Sequence, residues 1–402
     1  MARQRLLVVG NGMAGLRFLE EIVASAPTRF AITVVGAEPV AAYNRVLLSQ
    51  LLAGEVAAAD ILLRPCQWYE AHGIELITQQ TAEALDCGAG RVRLQDGRAL
   101  AFDVLVLATG SDPLVLPVPG STLPGVATFR TLADSAALDE FAASGRPAVV
   151  IGGGLLGIET AVGLARRGVP VSLVHVADHL MERQLDAEGA ALLAEAIAAK
   201  GVRLFLRQST RAIRGSSGVE AVELADGRLL DCGLVIMAVG IRPRTGLAAR
   251  GGLGTGRGIM VDDRMQTSQA GVFAIGECAE HRGTCYGLVE PCYEQARVAA
   301  AILAGEPQRY QGSVSATNLK VSGVAVFSAG DFEGRGADSI IVRDVGVPSF
   351  RKLVTRQGRL TGAVLVGDVR DALWYRDLIR AAEPVTPFRH ALAFGQAFAE
   401  AA

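Results

Sequence analysis

One local layout occurs twice in this chain and constrains its fold more than any other feature. A short apolar strand, Leu6 to Val9, runs into Gly10-Asn11-Gly12-Met13-Ala14-Gly15, then a helix to about Ser25 and a second apolar strand from Ala31 to Val35. The layout returns as Ala148 to Ile151, Gly152-Gly153-Gly154-Leu155-Leu156-Gly157, a helix to about Arg167, and a strand from Val171 to Val176. In such a βαβ unit the first glycine allows the tight turn, the second lets a pyrophosphate approach the backbone, and the third lets helix pack on strand. The helix N-terminus then faces the phosphates. In the first copy Glu38 lies 28 positions after Gly10, placed to accept from an adenosine ribose hydroxyl.

The duplication extends beyond the glycine loops. Residues 92–113 read VRLQDGRALAFDVLVLATGSDP, and residues 222–243 read VELADGRLLDCGLVIMAVGIRP. Asp96-Gly97-Arg98 matches Asp226-Gly227-Arg228 as a hairpin turn, and Gly110 matches Gly240, both at an offset of 130 residues. Two dinucleotide-binding domains imply two dinucleotides. A flavin and a nicotinamide are the obvious pair, because a nicotinamide hydride needs an acceptor. A further apolar strand ends in Gly276-Glu277, after the second dinucleotide domain closes near Pro243. It marks the flavin domain resuming, with Glu277 near the ribitol and pyrophosphate. Ala108-Thr109-Gly110 closes over the same cofactor.

The expected fold is α/β: two Rossmann-like dinucleotide-binding domains, the NAD(P) domain inserted in the FAD domain, plus a small α+β C-terminal domain. The FAD domain takes residues 1–112 and 244–312, the NAD(P) domain 113–243, and the interface domain 313–382, leaving a tail at 383–402. The C-terminal domain reads as an antiparallel sheet capped by a helix from Asp371 to Ala382. The tail reads as either a docking segment or a frayed end.

Composition excludes several other functions. With 402 residues and a formal net charge of −2, the chain has no basic excess for nucleic acid or an anionic membrane. Its six cysteines are too few and scattered for a disulfide scaffold, and no two form a CxxC pair. Cys278, Cys285 and Cys292 recur every seven residues, but a glycine and a proline interrupt the stretch, so no metal site is expected. The N-terminus opens on a strand and a glycine turn rather than a signal peptide, so a cytoplasmic location is expected.

The order GxGxxG, ATG, GGGxxG, MAVGIRP and GVFAIGE resembles the FAD-dependent pyridine nucleotide-disulfide oxidoreductase superfamily. AYNRVLLSQLLAGE at 42–55, LMERQLD at 180–186 and ATNLKVSGVAVFSAGD at 316–331 resemble, more narrowly, the NADH-oxidising part of assimilatory nitrite reductase large subunits. Those subunits continue into iron–sulfur and sirohaem domains, for which this sequence carries no cysteine cluster. The resemblance therefore implies an electron-transfer subunit feeding an iron–sulfur-containing nitrate or nitrite reductase. A homodimer or a hetero-oligomer both remain open.

The resemblance also implies residue roles. Arg45 would reach the pyrophosphate or the flavin edge, and Lys320 would stand beside the isoalloxazine. Glu294-Gln295 would begin a helix whose amides face the flavin carbonyls. Glu159 would hold the nicotinamide carboxamide over the flavin. His175 stands where NAD-specific relatives carry Glu, so NADH is favoured by the likeness while NADPH stays open, and Arg183 would contribute to either. Tyr43 to Ser49, where disulfide-reducing relatives carry a cysteine pair, contains none. The alternatives are a ferredoxin or rubredoxin reductase, against which Gln50 counts because relatives end that loop in Leu-Ser-Lys, and an NAD(P)-sensing flavin-binding protein.

Overall fold

The computed structural model describes residues 3–401 apart from 315, 322, 323 and 345; the side chains of 318–321 also lie outside the description. The chain divides into two compact units. One comprises Met1–Leu47, Ala57–Asp112 and Ile241–Ser313, and the other Leu48–Val56, Pro113–Gly240 and Val314–Ala402.

The first unit is built on five parallel strands in the order Val272–Ala274, Val104–Leu107, Gln4–Val9, Phe30–Val35, Ile74–Ile77. Leu6, Leu7, Val8, Leu105 and Val106 are almost wholly buried, as a strand covered on both faces requires. Strand order reverses beside Gln4–Val9, and a ligand crevice forms beyond the strand ends at such a switch point. Gly10 to Gly15 occupies that place, and the helix Met13–Ser25 buries Leu16, Phe18, Leu19 and Ile22 on the sheet.

The second unit repeats the plan with Val202–Phe205, Val171–Val174, Ala148–Ile151, Leu234–Met237 and Val126–Ala127, again parallel. Its fifth strand comes from upstream in the chain, whereas that of the first unit comes from downstream. Each unit also carries a three-stranded antiparallel meander. Both meanders have a register shift at the same place, Ala82/Ala84 in one and Thr210/Ala212 in the other. Both hairpins close alike: Arg98 Nε donates to Asp96 Oδ2 at 2.7 Å, and Arg228 Nε to Asp226 Oδ2 at 2.7 Å.

The C-terminal part of the second unit is a five-stranded antiparallel sheet, ordered Ala316–Val321, Val324–Gly330, Arg359–Val366, Ser349–Arg356, Asp338–Asp344. The helix Ala372–Ala381 buries Tyr375 on it, with Asp371 and Ala382 as its flanking caps. The ammonium of Lys352 lies 2.7 Å from Asp186, which also caps the helix Ala187–Ala198. The tail is packed: Val385 and Leu392 are fully buried, and Tyr375 Oη donates to Leu392 O at 2.7 Å. Leu392→Ala is therefore expected to cost about 2–4 kcal/mol, read as a lower urea midpoint at unchanged slope. Among the described residues no helix is long and apolar enough to cross a membrane.

Candidate dinucleotide sites

In the first unit, Gly10 holds φ at +116°, and a Cβ there would fall 2.1 Å from the Ala108 carbonyl oxygen. A Cβ on Gly15 would fall 2.1 Å from Gly10 O, so the helix lies directly on the turn. Gly12 differs: its backbone is extended, and a Cβ would meet nothing within 4 Å. The protein's own packing gives no reason for glycine at this position, but a diphosphate crossing the helix N-terminus does. Gly12 offers no side-chain cap, so the first-turn amides at Ala14 and Gly15 lack the partner that a capping side chain supplies. Asn11 adds a buried amide nitrogen without a partner, while its oxygen accepts from Tyr69 Oη at 3.0 Å. These features fit a bound dinucleotide.

The remaining elements of the first unit converge on the same loop. Gly276, at φ +80°, packs so closely on the first helical turn that a Cβ would sit 2.9 Å from Ala14 Cβ. Its N–H donates to the buried Gln295 Oε1 at 2.8 Å. Glu277 accepts from Ser111 Oγ at 2.7 Å, a partner that sequence reasoning missed. Thr109 Oγ1 donates to Arg244 O at 3.0 Å, and Arg244 Nε to Asp112 Oδ1 at 2.6 Å, which staples the strand that leaves the unit to the one that returns.

Two features of the first unit bear on the expected site residues, and the second corrects a helix boundary. Glu38 is held by Tyr43 Oη at 2.7 Å and by an ion pair with Arg45, so two residues given separate tasks form one cluster. The helix expected to begin at Glu294-Gln295 runs from Val289 to Ala304, which puts both residues in its second turn. Pro291 fits within the first turn because the missing N–H would have no intrahelical partner there. Glu294 accepts from the Ser313 hydroxyl. All six cysteines are free thiols, and burial pushes Cys278 upward in pKa.

The second unit shows the same cradle. A Cβ on Gly152 would lie 2.3 Å from Ala238 O, one on Gly157 would lie 1.9 Å from Gly152 O, and one on Gly154 would meet nothing within 4 Å. Leu155 opens an uncapped helix, Leu155–Arg166, and Gly240 turns at φ +121° at the neighbouring strand end. Glu159 sits on that helix; desolvation pushes its carboxyl up to about 7, opposed by a hydrogen bond from Ser49. The strand expected to reach Val176 ends at Val174; the next residue, His175, still donates its N–H to Phe205 O at 2.9 Å while its ring lies on the glycine loop. Arg183 is exposed. Lys320 lies on the strand Ala316–Val321, and its side chain is outside the described residues.

Two glycine cradles at the switch points of two parallel sheets, with a largely desolvated carboxyl on one of the cradle helices, define a protein with two dinucleotide-binding folds. Residues 4–302 match the pyridine nucleotide-disulphide oxidoreductase family and residues 316–383 the rubredoxin NAD+ reductase C-terminal domain. The chain belongs to the pyridine nucleotide-disulphide oxidoreductase family, with FAD and a nicotinamide dinucleotide as its cofactors.

Among its relatives, the nitrite reductase [NAD(P)H] of Bacillus subtilis is 46% identical over 370 residues, 92% of this chain and 46% of that protein. The assimilatory nitrate reductase electron transfer subunit of the same organism is 42% identical over 373 residues, 92% of this chain and 48% of that protein. The chain thus spans about half the length of these curated relatives. The ferredoxin reductase for the CYP199A2 system from Rhodopseudomonas palustris superposes with a TM-score of 0.90 at 28% identity, covering 98% of both chains.

Proposed function

We propose that the chain is the NAD(P)H-oxidising electron-transfer component of a nitrate- or nitrite-assimilating system, with NADH the favoured donor. Its acceptor is an iron–sulfur-containing reductase partner, and its location the cytoplasm. The observation that carries this reading is the pair of intact cradles, each with a central glycine, Gly12 or Gly154, that only a ligand requires. The likeness to nitrite reductase and to a nitrate reductase electron transfer subunit supplies the partner class.

Each side chain then has a task. Gly10 to Gly15 and the first-turn amides hold the FAD diphosphate, and Ser111 orients Glu277 toward the ribityl hydroxyls. Gly152 to Gly157 hold the nicotinamide dinucleotide, and Glu159 accepts from the carboxamide. FAD, when bound, supplies the conversion of a two-electron hydride donor into a one-electron source. Hydride transfer depends on alignment more than on acid–base help, which suits a site without a paired general acid and base. With no cysteine between Tyr43 and Ser49, electrons take no disulfide route there.

Full-length likeness to a ferredoxin reductase favours a second reading, reduction of a free ferredoxin or rubredoxin. An anaerobic NADH titration tests what both readings share: the oxidised-flavin band is expected to bleach with one NADH per flavin. No bleaching with NADH or NADPH would sink the reductase assignment. Turnover with a nitrate reductase catalytic subunit, set against turnover with a ferredoxin, then separates the two.

A further inference from the structure

In the second unit, the site of the adenosine ribose falls at the end of the strand Val171–Val174, where a dinucleotide fold ordinarily presents an acid. This chain has His175 there, 7% exposed. The imidazole Nδ1 accepts the Gly153 N–H at 3.0 Å. The ring hydrogen is therefore on Nε2, which lies 3.0 Å from Glu182 Oε2 and donates to it.

Two further contacts make this one rigid assembly. Met181 N–H donates to Gly153 O at 2.9 Å. A Cβ on Gly153 would fall 2.7 Å from the His175 ring and 2.8 Å from Leu180 Cδ2, so the loop has closed on both side chains. Glu182 is thus anchored beside the phosphate cradle, seven positions after the place where the acid is normally found. Its side chain is 37% exposed, and among the described residues its only hydrogen-bond partner is His175, which leaves Oε1 free to accept. Val176, next to the imidazole, is 71% exposed and offers an apolar surface of the kind an adenine face covers.

We propose that Glu182, held in place by His175, receives the ribose 2′-hydroxyl of the nicotinamide dinucleotide and so selects NADH over NADPH. A 2′-hydroxyl donates to a fixed carboxylate in a charge-assisted bond, whereas a 2′-phosphate meets like charge and has no such hydrogen to give. Arg183 is the competing feature, because it would attract that phosphate. Glu182 prevails because it is already ordered by a buried partner, whereas Arg183 stands exposed with its rotamer freedom to lose. His175 is the positioning residue. The inference rests on the second cradle being the nicotinamide site.

The test is steady-state reduction of ferricyanide by the FAD-loaded protein with NADH and with NADPH. Wild type is expected to favour NADH in kcat/KM by roughly thirtyfold or more, and Glu182→Gln to shrink that ratio by roughly tenfold. The change should fall on KM, rising for NADH and falling for NADPH. His175→Glu added to Glu182→Gln is expected to restore the NADH preference by putting a carboxylate back at the strand end. An unchanged ratio in Glu182→Gln, or a wild type that prefers NADPH, would overturn the proposal. Gly154→Val separates the two levels of the argument. If it leaves both nucleotides bound normally, the second cradle is not the nicotinamide site. If it abolishes both while Glu182→Gln leaves the ratio untouched, only the role of Glu182 fails.

Discussion

Gly12→Val is expected to give a folded protein that elutes colourless, with its FAD affinity weakened about a hundredfold or more, roughly 3 kcal/mol. The backbone at Gly12 is extended, at φ −94° and ψ −167°, and the space around a Cβ is open, so valine adds no strain to the unliganded chain. Its methyl groups would instead occupy the path of the diphosphate. Gly15→Ala reports the opposite. Its Cβ would sit 2.1 Å from Gly10 O, and the helix cannot retreat without leaving the sheet. That change is expected to cost about 3 kcal/mol or more of fold stability whether or not FAD is present. Flavin absorbance with far-ultraviolet circular dichroism and urea melts of both apoproteins separates the two effects. A Gly12→Val protein that retains stoichiometric flavin would remove the first cradle from the FAD site. Added FAD should raise the Tm of wild type and not of Gly12→Val, since only a ligand that binds the native state stabilises it.

The contrast between Gly12 and Gly15 also shows what the sequence could and could not disclose. Turn, helix and strand were readable at both loops because local chemistry decides them: apolar runs, glycines at fixed spacing, and the Asp-Gly-Arg hairpins with their Arg-to-Asp bonds. The start of the helix Val289–Ala304 was not, since Leu288 has no capping side chain to signal it and Pro291 resembles a breaker although a first turn tolerates it. Long-range placement was hidden as well. Leu52 is fully buried against the helix carrying Gly163, which draws Leu48–Val56 into the second unit, and no feature of the local sequence announces that. The strand Val126–Ala127 is two residues long and too short to leave a period. In the sites, glycines were legible because backbone geometry alone selects them. Partners such as Ser111 for Glu277, or Glu182 for His175, arise from chain segments meeting in space, so only the fold could reveal them.

Glu159→Gln is expected to slow NADH-driven flavin reduction by about two orders of magnitude and, at pH 8, to make the protein more stable. Both effects follow from one half-buried, largely desolvated carboxyl. Its helix faces the segment Leu48–Leu52, from which Ser49 supplies a hydrogen bond, and among the described residues no cation pairs with it. Burial therefore raises its pKa from an ordinary 4.5 to about 7. A raised carboxyl pKa means that the native state favours the protonated form. The associated stability is complete below the unfolded value of 4.5 and is lost as pH rises toward and past about 7. The full difference amounts to at most about 3 kcal/mol. Glutamine mimics the protonated form at every pH, so wild type and variant should unfold alike near pH 4 and diverge by pH 8, the variant then being the more stable. The proposed role in hydride transfer has the opposite demand, because an ionised carboxylate accepts from a carboxamide NH2 more strongly than a neutral carboxyl or an amide does. In wild type, kcat/KM for NADH should therefore climb with pH through about 7, and in Glu159→Gln it should stay low and flat. A stability gap that does not widen between pH 4 and pH 8 would show that Glu159 is not ionised against its surroundings. A wild-type rate that ignores pH would show that its carboxylate does not touch the nicotinamide.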